Sequence, residues 1–553
     1  MDVRLARGTR AALLAPLTAL VLLAVPAAPA RAQDDALSII APVTKQQAER
    51  IGARDPEVAR TRRAHPDLEP VSERTGTDWQ VGFVADGDEL AQVIVDGRSG
   101  EVKESWTGEQ VAWRMARGYP GAFGRKLNAP YVWLPLCAIF VLGLLDWRRP
   151  FRLAHLDLLV IVAGIGASHF FFNRGEIGLS VPLAYPALVY LMARTLWLAF
   201  RGGPGLRPSA PATWLAVATL FLLGFRAGLN VADSNVIDVG YSGVVGADKI
   251  VDGEPIYDDW PENNGRGDTY GPVAYYSYVP FEQTWPWSGQ WDDLPAAHGA
   301  AIFFDLATVA GLFALGRRLR PGEAGRRLGI VLAFAWAACP YTAFALESNT
   351  NDSLVAALLV GALLLLNSPP GRGALLALAS ATKFAPLALA PLFATYDSGQ
   401  GAGSGGDGRF LDRLPTVGLF AAAFVATAAL VMAQTIIDPG LGTFWDRTIG
   451  FQAGRDSPFS IWGQTSLGPL HAITEVLVVG LAILVAFVPR HRDLVTVAAL
   501  GAAVMIALQL TVDHWFYLYV PWFLPFLFVA LLGRSGEPEG QVAASRPAAL
   551  SAS

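Results

Sequence analysis

The chain has 553 residues, 53% of them hydrophobic and only 16% charged, against roughly 25% charge in a soluble globular protein. A net charge of −5 offers no footprint for nucleic acid. The two cysteines, Cys137 and Cys339, both lie in apolar runs, which excludes a disulfide scaffold, a zinc cluster and a CxxC redox site. The seven histidines form no HExxH or other ligand spacing, so nothing demands a metal or cofactor. A polytopic membrane protein remains.

Residues 1–32 read as a secretory signal: Arg4, Arg7 and Arg10 precede the apolar run Ala11 to Val25, and Ala30-Arg31-Ala32 supplies small residues for cleavage. An uncleaved anchor is the alternative. Residues 34–107 then turn polar and charged. Gln46 to Arg60 has a helical pattern, while Trp79 to Val84 and Ala91 to Val95 alternate as half-buried strands. Asp96-Gly-Arg-Ser-Gly100 makes the turn into a further strand ending at Trp106. This helix-then-hairpin unit resembles a PepSY-type domain, which implies a small α+β binding or regulatory module. Residues 108–129 mix Trp113, Met115, Tyr119 and Phe123 with Arg114, Arg117, Arg125 and Lys126; they read as an interfacial helix or an ordinary linker.

Apolar runs near 130–146, 155–173, 179–200, 212–230, 298–316, 327–346, 352–367, 414–434, 468–488, 493–512 and 515–532 predict about 11 transmembrane helices in a mainly α fold. The first three, over 130–211, precede a core at 212–532. The stretch 373–396 carries Lys383-Phe-Ala-Pro386 at its middle, where proline breaks a helix and lysine is costly in lipid. It reads as a re-entrant helical hairpin, with a kinked full span as the alternative. With the hairpin, the connecting loops carry fifteen basic residues on the cytoplasmic side and five outside. This orientation places the chain in the plasma membrane with the 34–107 unit and the loop 231–297 extracytoplasmic. Residues 398–409 read as a flexible linker and 533–553 as a disordered tail.

The loop 231–297 holds twelve acidic residues, two basic ones, and nine interleaved tyrosines and tryptophans from Tyr257 to Trp291. That composition suits a sugar site and equally a loop at lipid headgroups. The order Asp238, Tyr241, Gly253-Glu-Pro-Ile-Tyr257, Tyr270-Gly-Pro272, then Glu347-Ser-Asn-Thr-Asn351-Asp352 and "LALASATKFAPLALAP" resembles GT-C membrane glycosyltransferases, particularly the polyprenyl-phosphate-mannose-dependent branch of actinobacteria. The chain departs from that pattern in the three spans and the PepSY-like unit ahead of the loop, and in Glu347-Ser348 where relatives often carry Gly-Gln.

The resemblance implies transfer of a sugar, by default mannose, from a polyprenyl-phosphate donor to an envelope glycan, glycolipid or protein acceptor, with inversion and no obligatory metal. Asp238 is the expected general base, with Asp233 as its rival and Glu347 as a further carboxylate. Candidates for the donor phosphate are Arg226, Arg447, Arg455, His514 and Lys383. Tyr241, Tyr257, Tyr270, Asn351 and Asp352 are expected at the sugar and acceptor. Each has a plainer reading. Arg226 can snorkel or pair with Asp305, Arg447 and Arg455 can pair with Asp446 or Asp456, and His514 can belong to an aromatic belt. Lys383, entering from the cytoplasmic side, is expected far from the catalytic end unless the hairpin reaches deep. A transporter of lipid-linked sugars and a non-catalytic scaffold displaying the PepSY-like unit are the alternatives.

Overall fold

The computed structural model describes residues 43–534 apart from 120, 122, 398–413, 454–456 and 491. The signal, the glycine-rich linker, Arg455 and nearly all of the tail lie outside the described residues.

The polar N-terminal unit consists of α1 (Lys45–Ala53), α2 (Pro56–Ala64) and strands β1 (Glu69–Thr75), β2 (Asp78–Ala85), β3 (Asp88–Val95) and β4 (Val102–Thr107). The expected single helix is two. Thr44 forms a capping box with Gln47 at the start of α1, and Asp55 caps α2 with Pro56 in its first turn, so a new helix begins inside the stretch. The strands form one antiparallel sheet in the order β1-β2-β3-β4. Ala48 and Val58 of the helices pack on Val81, Phe83, Ala91 and Val93. Edge strand β1 is almost wholly exposed, which is why its sequence lacks the alternation that marks β2 and β3.

The rest is helical. The main helices are α3 (Pro130–Leu144), α4 (Leu153–Phe172), α5 (Ile177–Arg201), α6 (Ala212–Asp233), α7 (Asp238–Val251), α8 (Pro295–Leu319), α9 (Gly322–Ala338), α10 (Pro340–Glu347) and α11 (Asp352–Leu364). They are followed by α12 (Pro369–Ser380), α13 (Ala385–Ala394), α14 (Leu414–Val431), α15 (Gly468–Leu484), α16 (Leu494–Gln509) and α17 (Tyr517–Leu532). A helix stands at every predicted apolar run, but the count of eleven spans is not met. Among the described residues five helices are long and apolar enough to cross a membrane, or six if α9 and α10, bent by 58°, form one broken span. Six further apolar helices have 10–17 residues, and at 1.5 Å per residue they fall short of a hydrocarbon core about 30 Å thick. One hydrophobic core runs from Ala116 to Leu532, so α3 to α5 share their packing with the helices that follow.

The 369–396 stretch goes out and back. Arg372, at the start of α12, donates from Nε to Phe393 O at 2.7 Å and from Nη2 to Tyr396 O at 2.8 Å, which ties the two ends together. Arg492 donates to Thr395 O (2.6 Å) and Val485 O (2.9 Å), fastening that base to the connection between α15 and α16. The tip, at Ala381-Thr-Lys383, lies at the other end of the bundle, against the 231–297 loop.

Candidate functional site

That loop folds around its own aromatic residues. Tyr241, Val244 and Val245 of α7 pack on Tyr257, Trp260, Tyr275 and Tyr278. Close packing explains the glycine spacing: a Cβ at Gly243 would come within 2.6 Å of the Tyr278 ring, and one at Gly246 within 2.3 Å of Tyr275. Tyr241 stacks on Trp291 at 4.5 Å, and the Tyr257 hydroxyl donates to Tyr270 O at 2.9 Å. Both tyrosines are fully buried. They build the loop and do not line the cavity described below.

Two tethers set the loop on the bundle. The turn after α10 holds the chain that precedes α7: Asn349 donates to Ser234 Oγ (2.9 Å) and Asn235 O (3.0 Å), and accepts from Asn230 at 2.9 Å. His298 Nδ1 bonds Asn230 Oδ1 at 2.8 Å. The second tether joins Tyr270-Gly-Pro272 to the hairpin tip. Val273 N donates to Ala381 O at 3.0 Å, and a Cβ at Gly271 would stand 2.1 Å from that carbonyl. Backbone therefore meets backbone at a point where only glycine fits, and Tyr270 comes next to Lys383.

The result is a cavity of about 1450 Å³, larger than the roughly 300–1,000 Å³ of most small-ligand sites. Asp238, the first residue of α7, opens onto it, as do Tyr270, Lys383 and His514. One side is apolar, formed by Phe384, Leu387 and Ala388 of the hairpin with Val478 and Val479 of α15 and Val512. Among the described residues of α15 only Ala482 is buried, so this wall is thin. Gln509, Tyr519 and Trp522 also line it, and Glu475 and Asp513 add carboxylates to the lining.

Lys383 has the most particular surroundings. Its ammonium lies 2.8 Å from Asp352 Oδ1, and the rings of Tyr270, Trp522 and Tyr519 surround it at 5.2, 5.5 and 5.9 Å. Trp522 Nε1 donates to the same Asp352 oxygen at 2.8 Å, while Oδ2 of Asp352 is buried without a partner among the described residues. Lys383, expected far from the catalytic end unless the hairpin reaches deep, lines the same cavity as Asp238.

The other predicted residues separate. Asp233 bonds Lys126 at 3.3 Å and does not line the cavity. Glu347 and Asn351 are fully buried, with both side-chain polar atoms of each unpartnered among the described residues. Arg226 is committed inside the bundle. It donates to Asp305 at 2.7 Å, to Trp336 O and Ala337 O at 3.2 and 3.1 Å, and to Thr342 Oγ1 at 3.2 Å. It thus satisfies carbonyls that the bend before Pro340 leaves open. Arg447 pairs with buried Asp268 and not with Asp446, and also donates to Gly265 O, while Asp456 lies outside the described residues. His514 bonds Ser457 Oγ at 2.8 Å and meets Phe459 edge-on.

Sequence reasoning missed the remaining wall. Residues 108–129 do not form one interfacial helix. They make short turns that bring Trp113, Arg114, Met115, Phe123 and Arg125 to the cavity, with Glu104 of β4 beside them. Arg117 anchors the segment to the sheet by donating to Gln92 Oε1 at 2.9 Å and Gln110 O at 2.7 Å. Burial pulls its guanidinium down to about 10. The mixture of aromatic and basic residues was the available signal, but it fits a membrane surface and a cavity wall equally.

No protein-family model matches the chain, and no curated protein matches it. Among the described residues no group of three or more His, Cys, Asp or Glu is arranged to hold a metal ion.

Proposed function

We propose that the chain is an integral-membrane glycosyltransferase that moves a sugar from a polyprenyl-phosphate carrier to an acceptor hydroxyl, with Asp238 as general base. The observation that carries the reading is a single cavity with Asp238, Tyr270, Lys383 and His514 on its wall and an apolar side between the hairpin and α15. An amphiphilic donor needs both: polar groups for sugar and phosphate, and an apolar side for the lipid. In this reading the acceptor oxygen attacks the anomeric carbon and the bond from that carbon to the phosphate oxygen breaks. The Asp238 carboxylate takes the acceptor proton, and polyprenyl phosphate leaves. Of the three carboxylates expected in the reaction, Asp238 alone lines the cavity; Asp233 is held by Lys126 and Glu347 is buried away from it. Tyr270 and the Lys383–Asp352 pair belong to the sugar and phosphate end, while Tyr241 and Tyr257 act through the shape of the loop. In this reading α3 to α6 and α8 to α17 cross or enter the plasma membrane, with the hairpin re-entrant and the loop with its α7 and the N-terminal unit on the extracytoplasmic face. The sheet unit serves as a PepSY-like module beside the site.

The test is turnover in proteoliposomes with polyprenyl-phosphate mannose and an envelope extract as acceptor. Wild-type protein releases polyprenyl phosphate, and Asp238→Asn lowers the rate by about 10²–10⁴-fold, the range of general-base catalysis, with donor binding retained. An unaltered rate in Asp238→Asn would remove the assigned base. Absence of both donor binding and turnover in the wild type would remove the transferase reading.

A further inference from the structure

The polar groups of this cavity pose a charge problem. Lys383 is its one described lysine, and that charge already faces Asp352. Arg226 and Arg447 are taken by Asp305 and Asp268. The uncommitted positive charge on the described wall comes from the segment leaving the N-terminal unit. Arg114 and Arg125 both line the cavity and are exposed, and among the described residues neither guanidinium makes a hydrogen bond or an ion pair.

The segment that carries them is fastened on several sides. Trp113 meets Phe459 edge-on at 4.9 Å, and Phe123 meets Phe516 at 5.8 Å. Gln110 donates to Asn173 O at 3.3 Å. Lys126, next to Arg125, bonds Asp233 through both its backbone N–H and its ammonium, each at 3.3 Å. Arg125 itself has φ +38°, directly after Gly124 at +76°. A non-glycine residue in that region is strained, and a glycine would make the turn freely. The backbone thus gives no reason for arginine here, whereas its place on the cavity wall does.

We propose that Arg114 and Arg125 form a binding site for the phosphate group of an amphiphilic ligand in this cavity. The N-terminal unit thereby completes the site it precedes, since Arg117 locks the same segment to Gln92 of β3. Guanidiniums on one cavity wall suit a phosphate because each offers several donors in a planar fork and keeps its charge. The proposal rests on the transferase reading only in taking the phosphate to be lipid-borne; anion binding stands without any chemistry.

The experiment is equilibrium binding to the full chain in detergent micelles, with farnesyl phosphate, farnesol and inorganic phosphate as probes. R114Q/R125Q is expected to weaken farnesyl phosphate binding by about tenfold or more and to leave farnesol binding unaltered. R125G, which relaxes the backbone and removes one of the two guanidinium side chains, is expected to lose part of that affinity, and R114K/R125K is expected to retain more of it than R114Q/R125Q. Preference of the wild type for farnesyl phosphate over inorganic phosphate assigns the site to a lipid headgroup. Equal binding of inorganic phosphate, lost in the double variant, keeps the anion site and assigns it to free phosphate. Full farnesyl phosphate affinity in R114Q/R125Q, or no phosphate binding by the wild type, overturns the proposal. Failure here leaves the Asp238→Asn result untouched, and failure of that variant to lose turnover leaves this one untouched.

Discussion

Two of the buried charge pairs in this protein, Arg226–Asp305 and Lys383–Asp352, have different surroundings. Around Arg226 the protein supplies almost everything: Asp305, two carbonyls at the α9–α10 bend and the Thr342 hydroxyl accept from it, and Trp336 donates to Asp305 at 2.8 Å. Among the described residues its Nε lacks a partner. Around Lys383 the protein stops short. One carboxylate oxygen answers the ammonium, three aromatic rings surround it, the second oxygen of Asp352 is unpartnered, and the pair borders a cavity. A charge in an apolar bundle must be compensated. Where the compensation is internal the charge serves the fold, and where it is left partial beside a cavity a ligand can finish it.

The largest effect should come from the internally compensated pair. Arg226→Met leaves Asp305 buried against a single donor and uncovers the carbonyls at the bend, a loss on the order of 3–5 kcal/mol. Thermal unfolding of the purified protein in detergent would read it as a large drop in midpoint. Combining it with Asp305→Leu should restore much of the loss, because an apolar pair of similar volume needs no compensation. If the double variant is as unstable as the single one, the bend, and not the charge, is what Arg226 supports.

Lys383→Met should invert the balance between stability and activity. Lys383 lines the cavity and Asp352 lies behind it, so removing the lysine side chain opens a way for water to Asp352 and the expected loss is smaller, about 1–3 kcal/mol. Donor turnover, by contrast, should fall further than that loss of folded protein explains. A variant with full turnover per folded molecule would make this pair as structural as the first.

The smallest effect belongs to a third pair, in the N-terminal sheet, where water does the compensating. Lys103 reaches Asp78 and Asp96, each at 2.8 Å. Its hydrogen bond and the amides of Ser99 and Arg98 hold the Asp96 carboxyl well below its ordinary 3.8. A carboxyl lowered in the folded state adds stability that is present above its ordinary value. That stability is lost as pH falls toward the lowered one. Amide exchange in the Asp96–Gly100 turn, corrected for intrinsic rates, should therefore accelerate between pH 5 and pH 3 by about a few-fold at most, as befits an exposed pair. Lys103→Met should flatten the dependence; an unchanged dependence would leave the backbone amides as its whole cause.

Much of the fold was legible because it follows from local pattern. The apolar runs, the alternation in β2 and β3, and the turn at Asp96 each state their own structure within a few residues. The hairpin was legible for the same reason: Lys383 and Pro386 contradict a simple span where they stand. Edge strand β1 was not, since exposure on both faces removes the alternation. Neither was the break between α1 and α2, where the Asp55 cap and Pro56 outweigh a continuous helical pattern. The site was harder. Asp238, Tyr270 and Lys383 stood out as residues, but Tyr241 and Tyr257 stood out equally and are packing. What separates them is a place on the cavity wall, and that is set by neighbours distant in the chain.

The sequence by itself determined that this is a helical membrane-type chain with a small polar α+β unit in front, and that a few charges are placed where lipid would reject them. Composition and periodicity suffice for that, because water and hydrocarbon act on each segment separately. Only the tertiary structure decided which charges answer one another: Arg226 with Asp305, Lys383 with Asp352, Arg447 with Asp268. It also decided that the segment carrying Arg114 and Arg125 walls the cavity of Asp238. Those pairings span tens to hundreds of residues. They are set by the backbone contact at Gly271 and Ala381 and by the tethers at Asn349 and Arg372, which no single stretch of sequence displays.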